Sequence, residues 1–473
     1  MSELLFKDIK SLSNMIANKE ISPVDVTKQS LEQIKKLDPV LNAFIKVMSD
    51  SALEEASILE KEVMTGQIRG PLHGVPIAVK DLLETKGVET TAGSKVFENW
   101  IPSDDATVIS KLKEAGAIII GKANLHEFAM GATTENATFG NCRNPWDVTK
   151  IPGGSSGGSA VAVATGMSFG AIGTDTAGSI RLPAAICGIT GIKPTYGRVS
   201  RKGCLPFSWS LDHIGPMTRS VGDSALMLDI ISGYDSSDSS SSKVSAPVDY
   251  SPLTSLKGLR LGVIHSHFFE EISPEVEMVV MRAISDLRQL GAEVVDVEVD
   301  GLEEVLNSLK LIAQSEVVAF HEPILKKYKH LYGEDLQFRF HFGQDVLATN
   351  YINAQRTRKL FLSRFLNKIN DLNIDAIVAP TNAIEPFSIG TIPPQEAINN
   401  MFTLGRTPFA NITGLPALTI PCGFMPSNLP VGLQLIGKPF EESKLFQIGD
   451  LYEKTQEWVS KLEENIIYLK TLV

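Results

Sequence analysis

Short apolar runs, each separated from the next by a stretch of helical length, confine this chain to an α/β architecture. Gly74-Val75-Pro76-Ile77-Ala78-Val79 reads as a buried strand ending at Lys80 and Asp81. Residues 104–115 read as a helix capped by Asp104 or Asp105, and Ala117 to Ile120 as a strand closed by Gly121. The alternation resumes with a helix from Ser159 to Thr165 and a strand from Phe169 to Thr174. Strands are predicted again at 259–264, 293–299, 375–379, 415–421 and 431–436, with helices at 274–290 and over most of 303–371. Residues 1–65 are helical in pattern: Leu5, Ile9, Leu12 and Ile16 recur at helical spacing, and Ser22-Pro23 suits an N-cap followed by a first turn. The Asp- and Ser-rich stretch 233–251 is the clearest linker.

A chain of 473 residues is long enough for two or three domains, although large α/β enzymes often form one unit. With 43% hydrophobic and 21% charged residues, the composition is that of a globular protein. A net charge of −11 argues against nucleic acid as the main partner, because phosphate binding needs clustered Lys and Arg. Cys142, Cys187, Cys204 and Cys422 include no C-x-x-C pair, so they read as reduced, buried thiols rather than a disulfide framework or a zinc ribbon. The opening MSELLFKDIKSLSN carries charges and no apolar core of a secretion signal, and no run of about 18 apolar residues exists. A cytoplasmic protein, off the membrane, is the expectation.

The densest chemical signal is PGGSSGGS at 152–159, directly before an apolar helix. Enclosure by apolar segments argues against a flexible linker. A phosphate loop is rejected there because no G-K-S/T follows, and at 116–122 because the four residues between Gly116 and Gly121-Lys122 are apolar strand and Ala123 stands where a Mg²⁺ hydroxyl is needed. Gly153-x-Ser155-x-Gly157 fits a nucleophile elbow, but the downstream histidines (His213, His265, His267, His321, His330, His341) lack a distinctive context. His265-Ser266-His267 lacks a third clear ligand and reads as a loop. In GTDTAGSIR, residues 173–181, a strand ends in a small-residue turn presenting Ser179. Successive backbone N–H groups of such a turn can converge on an oxyanion; the turn can equally be a tight strand-to-helix connection.

GPLHGVPIAVKD at 70–81, PGGSSGGS, and GTDTAGSIRLPAAICGITGIKPT together resemble the amidase-signature family, and the match continues through YGRVSRKG and SLDHIGPMTRSV to about Val221. Weaker resemblance covers LDPVLNAF, GLPALTIPCGF and PVGLQLIG. The resemblance implies one α/β unit over 1–473: a single large mixed sheet sandwiched by helices, with a helical segment at 1–65, the signature core at 66–232, a Ser-rich loop at 233–251, and the rest of the sheet and the pocket helices at 252–473. It implies Ser179 as nucleophile, Ser155 as a bridging serine after a cis peptide bond, and Lys80 as the end of the relay. The backbone N–H groups of Thr176, Ala177, Gly178 and Ser179 would form the oxyanion hole, and Ser156, Thr174, Asp175 and Arg181 would hold the loops. The chemistry is coherent. A serine needs a base, and lysine serves as one only when neutral, which burial after an apolar strand favours. Ala177 departs from the family's usual glycine, harmlessly at negative φ and with crowding at positive φ.

The function implied is hydrolysis of a small-molecule carboxamide through an acyl-enzyme, with no cofactor and no metal. One branch of the family is the A subunit of the tRNA-dependent amidotransferase, a glutaminase working with partner subunits. YGRVSR and KPT resemble that branch. However, Leu404 stands where it carries an Asp for the glutamine amine, and SWSLDH at 208–213 is more typical of stand-alone amidases. Arg358 lies on a basic run (Arg356, Arg358, Lys359) that reads as a solvated helix face. The reading favours a stand-alone hydrolase, with an inactive amide-binding homologue as the non-enzyme alternative. Pocket walls are expected from 125–135, with Met130 and Gly131 as substrate contacts, from 303–360, and from the loop after Pro380. A homodimer, through the helical N-terminus, is compatible with this reading.

Overall fold

The computed structural model describes residues 2–244, 246, 248–393, 396 and 399–469. Eleven strands form one sheet: β1 (Phe44–Val47), β2 (Pro76–Lys80), β3 (Ile118–Ala123), β4 (Gly170–Asp175), β5 (Thr190–Lys193), β6 (His213–Thr218), β7 (Arg260–Val263), β8 (Glu293–Asp296), β9 (Ala376–Pro380), β10 (Ala417–Phe424) and β11 (Pro430–Ile436). Their spatial order is β1-β3-β2-β4-β6-β5-β10-β11-β9-β7-β8. β2 runs parallel to both β3 and β4, whereas β6, β5, β10 and β11 pair antiparallel, so the sheet is mixed. Every residue of β2, β3 and β4 is buried, which explains why these strands read as apolar runs without alternation. β1, β5 and β6 escape the pattern because Lys, Gly, Pro and His interrupt them; their strand state comes from neighbours in the sheet.

Helices cover both faces. A Cβ on Gly191 of β5 or Gly432 of β11 would meet Ala184 or Ala185 of the helix Arg181–Cys187 at 2.9 and 2.5 Å. Adjacent positions on β10 show the two sides: Thr419 pairs with Gly191 on that face, while Leu418 lies 2.8 Å from where a Cβ on Gly449 of the helix Glu442–Glu453 would sit.

Ser22 caps the helix Pro23–Leu41 as expected, accepting from Val24 N at 2.9 Å. Three expectations need correction. The helix Thr107–Glu114 begins at Ala106, without a side-chain cap; Asp105 instead accepts from Lys86 N and Lys113 Nζ, both at 2.8 Å. The N-terminal apolar repeat is split between Ser2–Leu5 and Ile9–Ala17, because Asp8 caps the second helix through Ser11 N at 2.7 Å. The second helix packs on the body of the molecule, with Ile9, Leu12 and Ile16 fully buried and Ile9 N donating to Asp223 at 2.9 Å. The described part of 233–251 is not a free linker either. Asp235 accepts from Ser200 Oγ at 2.6 Å and Thr107 Oγ1 at 2.7 Å, and Ser242 N donates to Gly197 O at 2.8 Å.

Candidate active site

β2 and β4 lie side by side and point the same way, so their carboxyl ends bring Lys80 beside Thr174 and Asp175. The crevice outside the carboxyl ends of parallel strands is the usual ligand position in open α/β sheets. The loop 152–156 crosses this edge and enters the helix Gly157–Ala164. Its glycines, and those opening the helix, serve close packing: a Cβ on Gly158 would lie 2.4 Å from Ala43 O and 2.5 Å from the Asn124 backbone. The Gly154–Ser155 peptide is cis.

Lys80 is wholly buried, and its side-chain nitrogen faces three hydroxyls. Nζ lies 2.7 Å from Ser155 Oγ, 2.8 Å from Thr174 Oγ1 and 3.0 Å from Ser156 Oγ. No carboxylate is among these partners, so burial dominates and pulls the lysine down to about 7, with Cys204, Asp175 and Asp212 resisting. Ser156 Oγ also donates to Thr174 O at 3.2 Å and accepts from Thr174 N at 3.3 Å, tying the glycine-rich loop to β4. A neutral amine has one lone pair for a hydroxyl proton. With the Ser156 proton already directed at a carbonyl, Ser155 is the serine free to donate it.

Ser179 sits on the turn after β4, 3% exposed, and Ser156 N donates to its carbonyl at 3.3 Å. The backbone N–H groups of Thr176, Ala177, Gly178 and Ser179 have no acceptor among the described residues, whereas those of Ile180 and Arg181 both reach Asp175 Oδ2, at 3.2 and 3.4 Å. Four successive donors without a protein acceptor form a ready anion cradle. Gly178 has φ +135°, and a Cβ there would lie 1.9 Å from Thr407 Oγ1, so this position requires glycine. Ala177 is not at positive φ, which makes its methyl harmless.

Asp175 and Arg181 are fully buried, with Oδ1 3.0 Å from Nη2 and Oδ2 3.1 Å from Nε. Burial pushes the Asp175 carboxyl up, but the guanidinium, Lys193 and Asn411 outweigh it and hold the group well below the usual carboxylate range. Arg181 also donates to Thr407 O, Gln434 Oε1 and Asn411 Oδ1, and Asn411 Nδ2 returns 2.8 Å to Asp175 Oδ1. Asn411, Gln434 and Thr407 escaped the sequence reading, although Gln434 lies in PVGLQLIG and Asn411 just precedes GLPALTIPCGF. Asp212, within SLDHIGP, was likewise not assigned a role: it accepts from Thr176 Oγ1 at 2.6 Å, and burial raises it to about 6 against that bond.

A cavity of about 380 Å³ opens at Ser179, Thr176 and Ala177. Met130 and Gly131, the expected substrate contacts, line it together with Phe207, Leu309 and Phe402. Residues from 125–135 and 303–360 therefore contribute, and beyond Pro380 the cavity takes Asn399 and, from the short helix Asn400–Leu404, Met401. Arg358 is a correction. It is largely enclosed rather than solvated, donating from Nε to Ile412 O at 2.7 Å and from Nη1 to Ser210 O at 3.0 Å, with its charge over the Tyr196 ring. His265 and His267 lie in the turn after β7, as read.

A deep lysine, two serine loops and a cradle of free N–H groups at one sheet edge belong to an amidase, and the amidase family model matches residues 25–446: the chain belongs to this family, whose members act on amide C–N bonds. It is 38% identical to the A subunit of the glutamyl-tRNA(Gln) amidotransferase of Heliobacterium modesticaldum, over 98% of this chain and 99% of that protein. Among solved structures, the A subunit of the Thermotoga maritima glutamyl-tRNA(Gln) amidotransferase matches at 35% identity and TM-score 0.78, covering 92% of each chain. The peptide amidase of Stenotrophomonas maltophilia matches at 32% identity and TM-score 0.83, covering 95% of this chain and 96% of that one.

Proposed function

We propose that this chain is a stand-alone amidase, cutting a small carboxamide by a Ser179–Ser155–Lys80 relay. Ser179 Oγ attacks the carbonyl carbon while its proton passes to Ser155 and the Ser155 proton passes to neutral Lys80. The oxyanion takes the N–H groups of the 176–179 turn. Collapse expels the amine, which receives the proton back through Ser155, and an acyl-Ser179 remains. Water repeats the sequence and releases the carboxylate. The observation that carries this reading is the buried Lys80 bonded to Ser155 beside a serine turn with four unengaged N–H groups. Four free cysteines fit a reducing cytoplasm, and strands from both sides of 233–251 in one sheet support 1–473 working as a single unit.

The test is mass spectrometry of the peptide labelled by a fluorophosphonate. The label should fall on Ser179, vanish in Ser179→Ala, and form slowly in Ser155→Ala. Turnover should drop about 10⁴- to 10⁶-fold in Ser179→Ala. A label on Ser155 that survives Ser179→Ala would overturn the assignment.

Identity to amidotransferase A subunits along nearly the whole chain favours a second reading, a glutaminase working with partner subunits. Against it, Leu404 is fully buried in an apolar cluster with Ala132, Ile151, Leu182 and Ile186, at the position where that branch carries its amine-reading Asp. Ammonia release from glutamine, measured with and without partner subunits, separates the two.

A further inference from the structure

The cavity at Ser179 is apolar over most of its wall, and the charged residues that line it are both cations. Lys310 and Gln314 lie one turn apart on the helix Leu302–Tyr328, on the stripe that also presents Leu309, Ala313 and Val317. Arg339 enters from the helix Glu334–Gln344, and Asn399 completes the set. Two cations thus line the cavity, and among the described residues no carboxylate does. Lys310 lies over the Phe402 ring at 4.4 Å, and both residues also line a second cavity to which Glu270, Glu271 and Glu303 contribute. Asp335, one turn before Arg339, is shared with His126, whose Nε2 lies 2.8 Å from its Oδ2. Burial pulls the Arg339 guanidinium down to about 10 against the pull of Asp335.

We infer that the acyl group of the substrate ends in a carboxylate, received by Lys310 and Arg339, with the alkyl chain crossing the apolar wall to the amide at Ser179. This rests on the amidase reading and deepens it. The substrate class is the monoamide of a dicarboxylic acid. Glutamine fits this wall poorly, because its ammonium would meet cations and an apolar surround with no lining carboxylate.

The experiment compares kcat/KM of the full-length enzyme on succinamate, glutaramate and adipamate with that on straight-chain alkyl amides of matched length, and with that on L-glutamine. At least one ω-carboxylate amide should exceed its alkyl match about 10- to 100-fold, as a charge-assisted hydrogen bond provides, and glutaramate should exceed L-glutamine. In Lys310→Met, Arg339→Gln and the double variant, the ratio of anionic to alkyl amide should fall by a similar factor, with fluorophosphonate labelling of Ser179 reporting that the site is folded. Alkyl amides cut as well as every ω-carboxylate amide by the unaltered enzyme would overturn the inference. So would a preference that survives the double variant, or L-glutamine exceeding glutaramate. Those results leave the amidase reading standing; no turnover of any amide would overturn that reading and this inference with it.

Discussion

Two positions show how single residues decide this site. Lys80 must be neutral to take a proton, and burial holds it near 7. Activity should therefore fall as pH drops below about 7, and kcat/KM against pH should show an acid limb that Lys80→Ala, slower by about 10⁴-fold or more, does not reproduce. The sign for stability follows from the same shift. Between about 7 and the unfolded value of about 10.4, the unfolded chain binds the proton and the folded one does not. This lysine therefore makes stability rise with pH across that window. Gly178 and Ala177 form the second contrast. Gly178→Ala places a methyl against Thr407 at positive φ, at a cost of about 1–3 kcal/mol, and should abolish fluorophosphonate labelling by displacing the turn. Ala177→Gly, at a residue without positive φ, should label at close to the original rate.

At the scale of elements, the Ser179 turn is held by pieces remote in sequence. Asp175 ends β4, Arg181 opens the following helix, Asn411 comes from the short helix Pro408–Thr413, and Gln434 from β11. Arg181→Met would leave Asp175 buried without its cation, which costs about 3–5 kcal/mol. The urea midpoint should drop accordingly, and a variant unfolding at the original midpoint would show that the pair does not support the turn. The resemblance to the amidase-signature family singled out Lys80, Ser155, Ser156, Thr174, Asp175, Ser179 and Arg181, all of which sit in or beside local runs of Gly, Ser and Thr or at the end of an apolar run. Thr407 and Asn411 lie more than 200 residues along the chain from the groups they bind, and a lone Thr or Asn carries no periodic or compositional signal. Arg358 shows the opposite failure. Its basic neighbours suggest a solvated face, but the carbonyls of Ser210 and Ile412, brought by other segments, enclose it.

Across the whole molecule, the sheet binds the two halves of the chain. β5 pairs with β10, and β9 lies between β11 and β7, so residues on both sides of 233–251 share one hydrogen-bonded ladder. Proteolytic nicking at Ser239–Ser242 should leave two fragments that co-elute and keep most of the amidase activity, because Asp235 and Asp238 anchor the flanking loop to Ser200 and Arg201. Fragments that separate without denaturant would contradict this. The sequence by itself determined the α/β class and the strands that are buried on both faces, because short apolar runs bounded by Gly or Pro and alternating with stretches of helical length fit buried strands of a sheet. It also made the serine turn, the glycine-rich loop and the lysine after an apolar strand visible as local patterns, while the roles proposed for them came from the resemblance to the amidase-signature family. Only the tertiary structure decided β1, β5 and β6, which are strands because of the partners beside them. Only it decided how far burial pulls Lys80 down against Cys204, Asp175 and Asp212, and it alone set the cationic wall formed by Lys310 and Arg339, which lie on separate helices brought to one cavity by packing that no spacing along the chain records.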